Sequence, residues 1–173
     1  PQWSAGAGAA EPVTESDPRE VGRLIALRLL EAKPRTEAEL YGALCQRGIP
    51  EDVASELVVR FVTVGLLDDR AYARLWVESR MRSRGLGATA LRQELRRHHV
   101  PDALIEEALA DVEPEDSLAA AVVSVRGRVA RCPLPLSYKD ERRLLAFLMR
   151  RGHSGDTARK AVRMAVDEVA DAS

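Results

Sequence analysis

The feature that most constrains this chain is a row of apolar residues that recurs three times at nearly constant distance. Leu40-x-x-x-Leu44-x-x-x-Gly48-Ile49-Pro50 is matched 51 residues on by Leu91-x-x-x-Leu95-x-x-x-His99-Val100-Pro101. A third copy, Leu144-x-x-x-Leu148-x-x-x-Gly152-His153-Ser154, follows after another 53 residues. Leucines four apart share one face of a helix. Each copy is preceded by a longer helical segment and continues into another apolar-periodic one, from Val53, Leu104 and Ala158. The unit is therefore three helices. A period near 50 residues is too long for tetratricopeptide or ankyrin units. It fits a module whose open apolar face is covered by the next copy.

The punctuation agrees. Asp17-Pro18 followed by Glu20 is a helix start, with a cap, a proline in the first turn and an acid at the positive end of the dipole. Val21, Leu24, Ile25 and Leu29 then recur at helical spacing, and Pro34 ends the run. Thr36-Glu37-Ala38-Glu39 has the form of a capping box. Val53, Leu57, Phe61 and Val62 make the stripe of a third helix. Tyr72 and Trp76 continue an apolar row with Leu75, a core row rather than a base-stacking platform. Gly85-Leu86-Gly87 is a turn between the fourth and fifth helices. Residues 121–133 are rich in β-branched valine, which admits a strand. Leu118, Val122, Val125 and Val129 nevertheless keep a 4-3-4 spacing, so the repeat predicts a helix there, with a bend expected at Gly127.

The predicted fold class is all-α, three tandem three-helix repeats in an elongated, curved array. Helices are expected over 18–32, 36–47, 51–64, 68–84, 88–99, 102–112, 115–131, 138–151 and 155–170. The expected divisions are a disordered Gly/Ala/Pro-rich tail over 1–16 and repeats over 17–66, 67–113 and 114–173.

The net charge of −1 argues against a simple nucleic-acid coat, but the charges are not evenly spread. Residues 70–99 hold eight Arg against two acids, and residues 122–151 hold eight bases against two acids. Residues 100–121, between them, hold seven acids and no base. Arg92, Arg96 and His99 form one stripe beside the Leu91/Leu95 row. Arg80 and Arg84 extend a stripe through Ala73 and Val77, with Arg70 and Arg74 nearby, and Lys139, Arg143 and Arg150 repeat the pattern on the eighth helix. Several of these bases lie in last turns, where they also complement the helix dipole. Side-by-side repeats would gather the bases on one face and the acids of the third helices on another. Such a positive face attracts a phosphate backbone.

Catalysis needs convergent polar groups, and the chain is poor in them. His98 and His99 are adjacent and point apart on a helix, with no Cys or acid at ligand spacing, so no metal is expected. There is no phosphate loop and no dinucleotide fingerprint, so no cofactor is expected and the chain reads as a non-enzyme. Cys45 and Cys132 read as isolated reduced thiols. No stretch approaches about 20 apolar residues and no secretory hydrophobic region follows the N-terminus, so a cytoplasmic monomer with no membrane contact is expected.

Gly65-Leu66-Leu67-Asp68-Asp69-Arg70-Ala71-Tyr72-Ala73, Trp76-Val77-Glu78-Ser79-Arg80, Arg84-Gly85-Leu86-Gly87 and Leu91-Arg92-Gln93-Glu94-Leu95 together resemble the central signature of RecX, a family of bacterial regulators of the RecA recombinase. Ala26-Leu27-Arg28-Leu29-Leu30 with Thr36-x-x-Glu39-Leu40 is similar to the family's first repeat. The resemblance covers roughly residues 20–168. It implies nine helices in three repeats and binding in the groove of the RecA–DNA filament. It also implies inhibition of RecA's ATP hydrolysis, strand exchange and coprotease activity. The family's central basic residues carry over onto Arg70, Arg80, Arg84, Arg92 and Arg96. Single-stranded DNA, alone or within the filament, is a further expected partner. Two positions depart: His99 stands where the repeat usually ends in Gly, and His153 where an aliphatic or aromatic residue is usual. A different class remains open, a helix-turn-helix transcriptional regulator. So does a purely structural helical scaffold.

Overall fold

The computed structural model describes residues 17–172. Among them lie nine helices and no strand. Module 1 is α1 (Pro18–Ala32), α2 (Glu37–Cys45) and α3 (Glu51–Thr63). Module 2 is α4 (Asp69–Arg84), α5 (Ala88–Arg97) and α6 (Asp102–Ala110). Module 3 is α7 (Pro114–Val129), α8 (Tyr138–Arg150) and α9 (Gly155–Asp171). The tail expected over residues 1–16 lies outside the described residues.

Three separate hydrophobic cores, one per module, replace a single central one. The first gathers Leu40, Leu44, Leu57 and Phe61, the second Val77, Leu91, Leu95 and Ile105, the third Val125, Val129, Leu144 and Leu148. The repeated leucines are thus the buried ridge of each second helix, and the array is elongated because each ridge serves only its own module. The valine-rich segment is helical throughout, since Ala121, Val122, Val125 and Val129 face the core while Val123 and Gly127 face outward. Three expected core residues lie elsewhere. Leu75 is 65 % exposed, and Leu24 and Val62 are also largely outside. Leu75 and Leu24 stand two residues from the buried Ala73/Val77 and Gly22/Ala26, hence on the far side of their helices, while Val62 flanks the buried Phe61 and Val58.

The three second helices end alike. Gly48 and Gly152 take left-handed φ values of 83° and 88°, and the next amide closes back onto the leucine carbonyl. Ile49 N–H donates to Leu44 O at 3.2 Å and His153 N–H to Leu148 O at 3.2 Å. In module 2 Val100 N–H donates to Leu95 O at 3.1 Å, and His99 adopts the left-handed φ of 58° without being glycine. A Cβ there costs about 1 kcal/mol. The departure at position 99 therefore leaves the turn intact. Position 153 is answered by chemistry of its own: Ile49 and Val100 are buried at the equivalent site, and His153 is buried too.

Two seams join the modules. At the first, Thr36 is fully buried and acts twice. Its hydroxyl oxygen accepts from Glu39 N–H at 3.2 Å, capping α2, while its O–H donates to His98 O at 2.7 Å. His98 Nδ1–H donates to Glu39 Oε1 at 2.7 Å, and Glu37 N–H donates to Asp69 Oδ1 at 2.9 Å. The His98 ring lies 4.2 Å from the Trp76 ring centroid, and Trp76 stacks on Tyr72 at 5.7 Å. Burial, with Glu39 and Asp69 nearby, pushes the Tyr72 hydroxyl up to about 12. Tyr72 and Trp76 are therefore half-buried against the module 2 core, at the side of it where His98 meets module 1.

Burial pushes the Glu39 carboxyl up, but the hydrogen bonds from His98 and Thr36 and the His98 charge outweigh it and hold the group below its usual range. The unfolded-state value is about 4.3. A depressed folded-state value means that the Glu39 contribution is complete above the unfolded value and is lost as pH falls through the folded one. Burial holds Glu37 and Asp69 above their ordinary values, with opposite consequences in the same pH range. The clean readout is a difference between two proteins. The gap in denaturation midpoint between the wild type and Glu39→Gln is expected to be widest near neutrality and to shrink below about pH 4. A gap that stays constant down to that pH would remove the carboxylate from the energetics of this seam.

The second seam is closer still. Gly87 N–H donates to Arg151 O at 2.8 Å, Thr89 N–H donates to Gly152 O at 3.2 Å, and α4 packs across α7. His153 Nε2–H donates to Gly85 O at 3.0 Å, and Arg151 donates to Arg84 O. Burial, with the Arg151 charge, lowers the His153 pKa against the opposing pull of the Gly85 hydrogen bond.

Candidate nucleoprotein-binding surface

The expected basic face of module 2 is built differently from the expectation. The acids of α6 are not segregated from the arginines of α4 and α5; they interleave with them. Arg70 and Arg74 reach Glu107 at 3.3 and 3.0 Å, and Arg74 also meets Asp111 at 3.1 Å. Arg92 pairs with Glu106 at 2.6 Å and Arg96 with Asp102 at 2.8 Å. The partner carboxylates hold both guanidinium pKa values above the ordinary one, and Glu106 and Asp102 fall below theirs. Arg80 stacks on Trp76 at 4.1 Å and lies 3.3 Å from Glu94, which also accepts Trp76 Nε1–H at 3.0 Å. Arg84 is 3.8 Å from the same carboxylate. All six expected residues of module 2 are therefore ion-paired. The alternating charge blocks follow in part: four of the seven acids of residues 100–121 meet Arg70, Arg74, Arg92 and Arg96 of the preceding block. Exposed pairs of this kind add little net stability. What they do is lower the free positive charge of this face.

Module 3 is much less compensated. Lys139, Arg143 and Arg150 line one open groove of about 900 Å3, bounded by α8, the end of α7 and the 130–137 loop. Arg128, Arg131 and Arg142 line it as well. The single carboxylate on its walls is Asp140, which accepts the Ser137 hydroxyl at 2.6 Å and lies 3.8 Å from Arg143. Arg128 stacks on Phe147 at 4.0 Å, and Arg142 lies 5.7 Å from the ring of Tyr138, which is 76 % exposed. The structure brings together the three bases expected on α8 and adds three more. Arg142 lies in the same positive block and was readable as charge. Arg128 and Arg131 belong to that block too, but they stand eleven and eight residues before Lys139, and the 130–137 loop folds them against α8.

Cys45 and Cys132 are free. Among the described residues no cluster of three or more His, Cys, Asp or Glu is placed to hold a metal ion. No helix among them is long and apolar enough to cross a membrane.

Known proteins with the same architecture are found. The RecX first three-helix domain matches residues 23–61, and the RecX second three-helix domain matches residues 68–109. A regulatory protein RecX from Streptomyces lividans is 44 % identical over 154 residues, covering 88 % of this chain and 81 % of the relative. One from Mycobacterium sp. (strain KMS) is 40 % identical over 162 residues, covering 91 % and 88 %. The crystal structure of RecX from Lactobacillus salivarius superimposes with a TM-score of 0.76 at 22 % identity, over 89 % of this chain and 97 % of that one. The matched segments span the module 1 and module 2 helices, and the relatives extend the likeness over most of the chain: this protein belongs to the RecX family of regulatory proteins.

Proposed function

We propose that this chain binds the RecA–DNA filament in the cytoplasm as a non-catalytic regulator and lowers RecA's ATP hydrolysis, strand exchange and coprotease activity. Family membership over most of the chain is the observation that carries the reading. The charge organisation supports it. A filament offers protein and phosphate side by side, and the chain offers an ion-paired, mixed-charge module 2 beside a module 3 whose basic groove carries a single carboxylate, Asp140. A helix-turn-helix regulator is the weaker reading. Its recognition helix must present free polar side chains to base edges. On α5, Arg92 and Arg96 are engaged by Glu106 and Asp102.

The test is DNA-dependent ATP hydrolysis by the cognate RecA on single-stranded DNA, titrated with this protein. Hydrolysis is expected to fall at or below equimolar ratio. Unchanged hydrolysis and strand exchange at equimolar protein would end the proposal.

A further inference from the structure

Basic side chains at the ends of α4, α7 and α8 meet on one side of the second seam. A pocket of about 440 Å3 lies between these helices. Arg82, Arg84, Arg128, Arg131 and Arg151 line it, with no carboxylate among its walls; Arg82 and Arg84 pair with Glu78 and Glu94 outside it. Arg128, Arg131 and Phe147 are shared with the larger groove of module 3, so the two are continuous. Three buried polar atoms at this junction, Ser124 Oγ, Arg151 Nε and His153 Nδ1, have no hydrogen-bond partner among the described residues. Arg131, Lys139, Arg142 and Arg150 likewise have no acidic partner within ion-pair distance among those residues. Bases left uncompensated and partly walled in raise the local potential and favour an anion.

We propose that this continuous track, from Arg84 across Arg128 and Arg131 to Lys139, Arg142 and Arg143, is a binding site for single-stranded polynucleotide, with Tyr138 as a base-stacking platform. It rests on the reading above only for the choice of nucleic acid as the anion. Three features favour a polymer over a lone phosphate. The seam pocket opens into a second basic groove. The groove follows α8, whose 13 residues run about 20 Å, longer than one nucleotide. Tyr138 stands exposed at its edge beside Arg142, the aromatic and guanidinium pairing on which an unstacked base settles. The division of labour then differs from the sequence expectation. Arg70, Arg74, Arg92 and Arg96 hold α6 in place, and phosphate binding passes to module 3 and the seam, which Arg84 reaches from the end of α4.

The experiment uses the whole chain and no recombinase, so its outcome is separate from that of the regulatory reading. Binding of fluorescein-labelled oligothymidylate is followed by anisotropy over a salt series. The wild type is compared with Arg131→Glu/Arg142→Glu and with Arg23→Glu/Arg60→Glu, a pair on module 1 that makes the same change in net charge. The module 3 pair is expected to bind at least about tenfold more weakly, with a salt slope shallower by about 0.7 for each phosphate no longer neutralised. The module 1 pair is expected to bind as the wild type does. Tyr138→Ala should weaken binding about fivefold or more at unchanged salt slope. Circular dichroism melts keep folding separate from binding, since Arg131, Arg142 and Tyr138 are all exposed. Wild-type protein that does not bind the oligonucleotide at low salt would overturn the proposal. So would equal losses in the two charge-reversed pairs. Displacement by ATP at the same molar concentration as unlabelled oligothymidylate would reduce the track to a single-phosphate pocket and overturn it as a polymer site.

Discussion

Gly152→Ala is expected to destabilise the protein by about 2–5 kcal/mol and to undo the seam between modules 2 and 3. Two costs combine. Gly152 holds a φ of 88°, a conformation that L side chains rarely adopt. A Cβ there would lie 2.3 Å from Ala90 N and 2.9 Å from Gly87 O. Both obstacles are backbone atoms, held in turn by the Gly87–Arg151 and Thr89–Gly152 hydrogen bonds, so neither can swing aside as a side-chain end could. Gly48→Ala is the internal control. Gly48 has a φ of 83°, nearly the same, but an added Cβ meets nothing within 4 Å. It should lose only the conformational share, about 1 kcal/mol. The difference between the two variants measures the crowding at the seam. Hydrogen exchange supplies the local reading: the amides of Gly87 and Thr89 should lose protection in Gly152→Ala and keep it in Gly48→Ala. Equal destabilisation of the two variants, with the Gly87 and Thr89 amides still protected, would show that the seam yields freely.

That seam was not legible in the sequence. Gly87 reads there as a turn glycine, and so in part it is, but the reason a side chain is excluded lies 65 residues away at Gly152. The same holds for Thr36. The capping box at Thr36 and Glu39 is a local pattern and forms as the pattern demands, with Thr36 N–H donating to Glu39 Oε2 at 3.3 Å. The hydrogen bond from the same hydroxyl to His98 O depends on how module 1 meets module 2, and no local pattern encodes it. Helix position and type were readable because they rest on near-neighbour spacing. Module-to-module contacts rest on partners about 60 residues distant.

The charges divide along the same line. Which blocks are positive is a property of composition along the chain, and those blocks are where the sequence places them. Which positive block stays uncompensated depends on packing. In module 2, α6 lies against α4 and α5 and brings Glu106, Glu107, Asp102 and Asp111 within reach of four arginines. In module 3 the corresponding third helix, α9, packs chiefly on α7 and carries Arg159, Lys160 and Arg163 among its exposed residues. Asp156 of α9 is taken by Arg159 of the same helix. The α8 bases are left facing the groove. Two blocks of equal formal charge thus present different surfaces.

Leu95→Ala is expected to cost about 2–5 kcal/mol, whereas Leu75→Ala, 20 residues earlier in the same module, should stay within about 0.5 kcal/mol of the wild type. Leu95 is fully buried against Leu91, Val77 and Ile105, so truncation loses burial and leaves a cavity in a core of few side chains. Leu75 is 65 % exposed and has little to lose. The position of Leu95 in the array adds a second effect. Module 2 meets module 1 through His98 and module 3 through Gly87, both attached to the helix that Leu95 anchors. In a chain of modules that contact only their neighbours, weakening the middle one uncouples the two ends. Denaturation of Leu95→Ala should therefore broaden as well as shift, with modules 1 and 3 melting more independently than in the wild type. Polynucleotide affinity, measured well below the transition, should change far less than in Arg131→Glu/Arg142→Glu, because the groove walls belong to α7, α8 and the loop between them. A sharp, merely shifted transition would mean that the three cores unfold as one unit. A shift no larger than that of Leu75→Ala would mean that the leucine row is not what holds module 2 together.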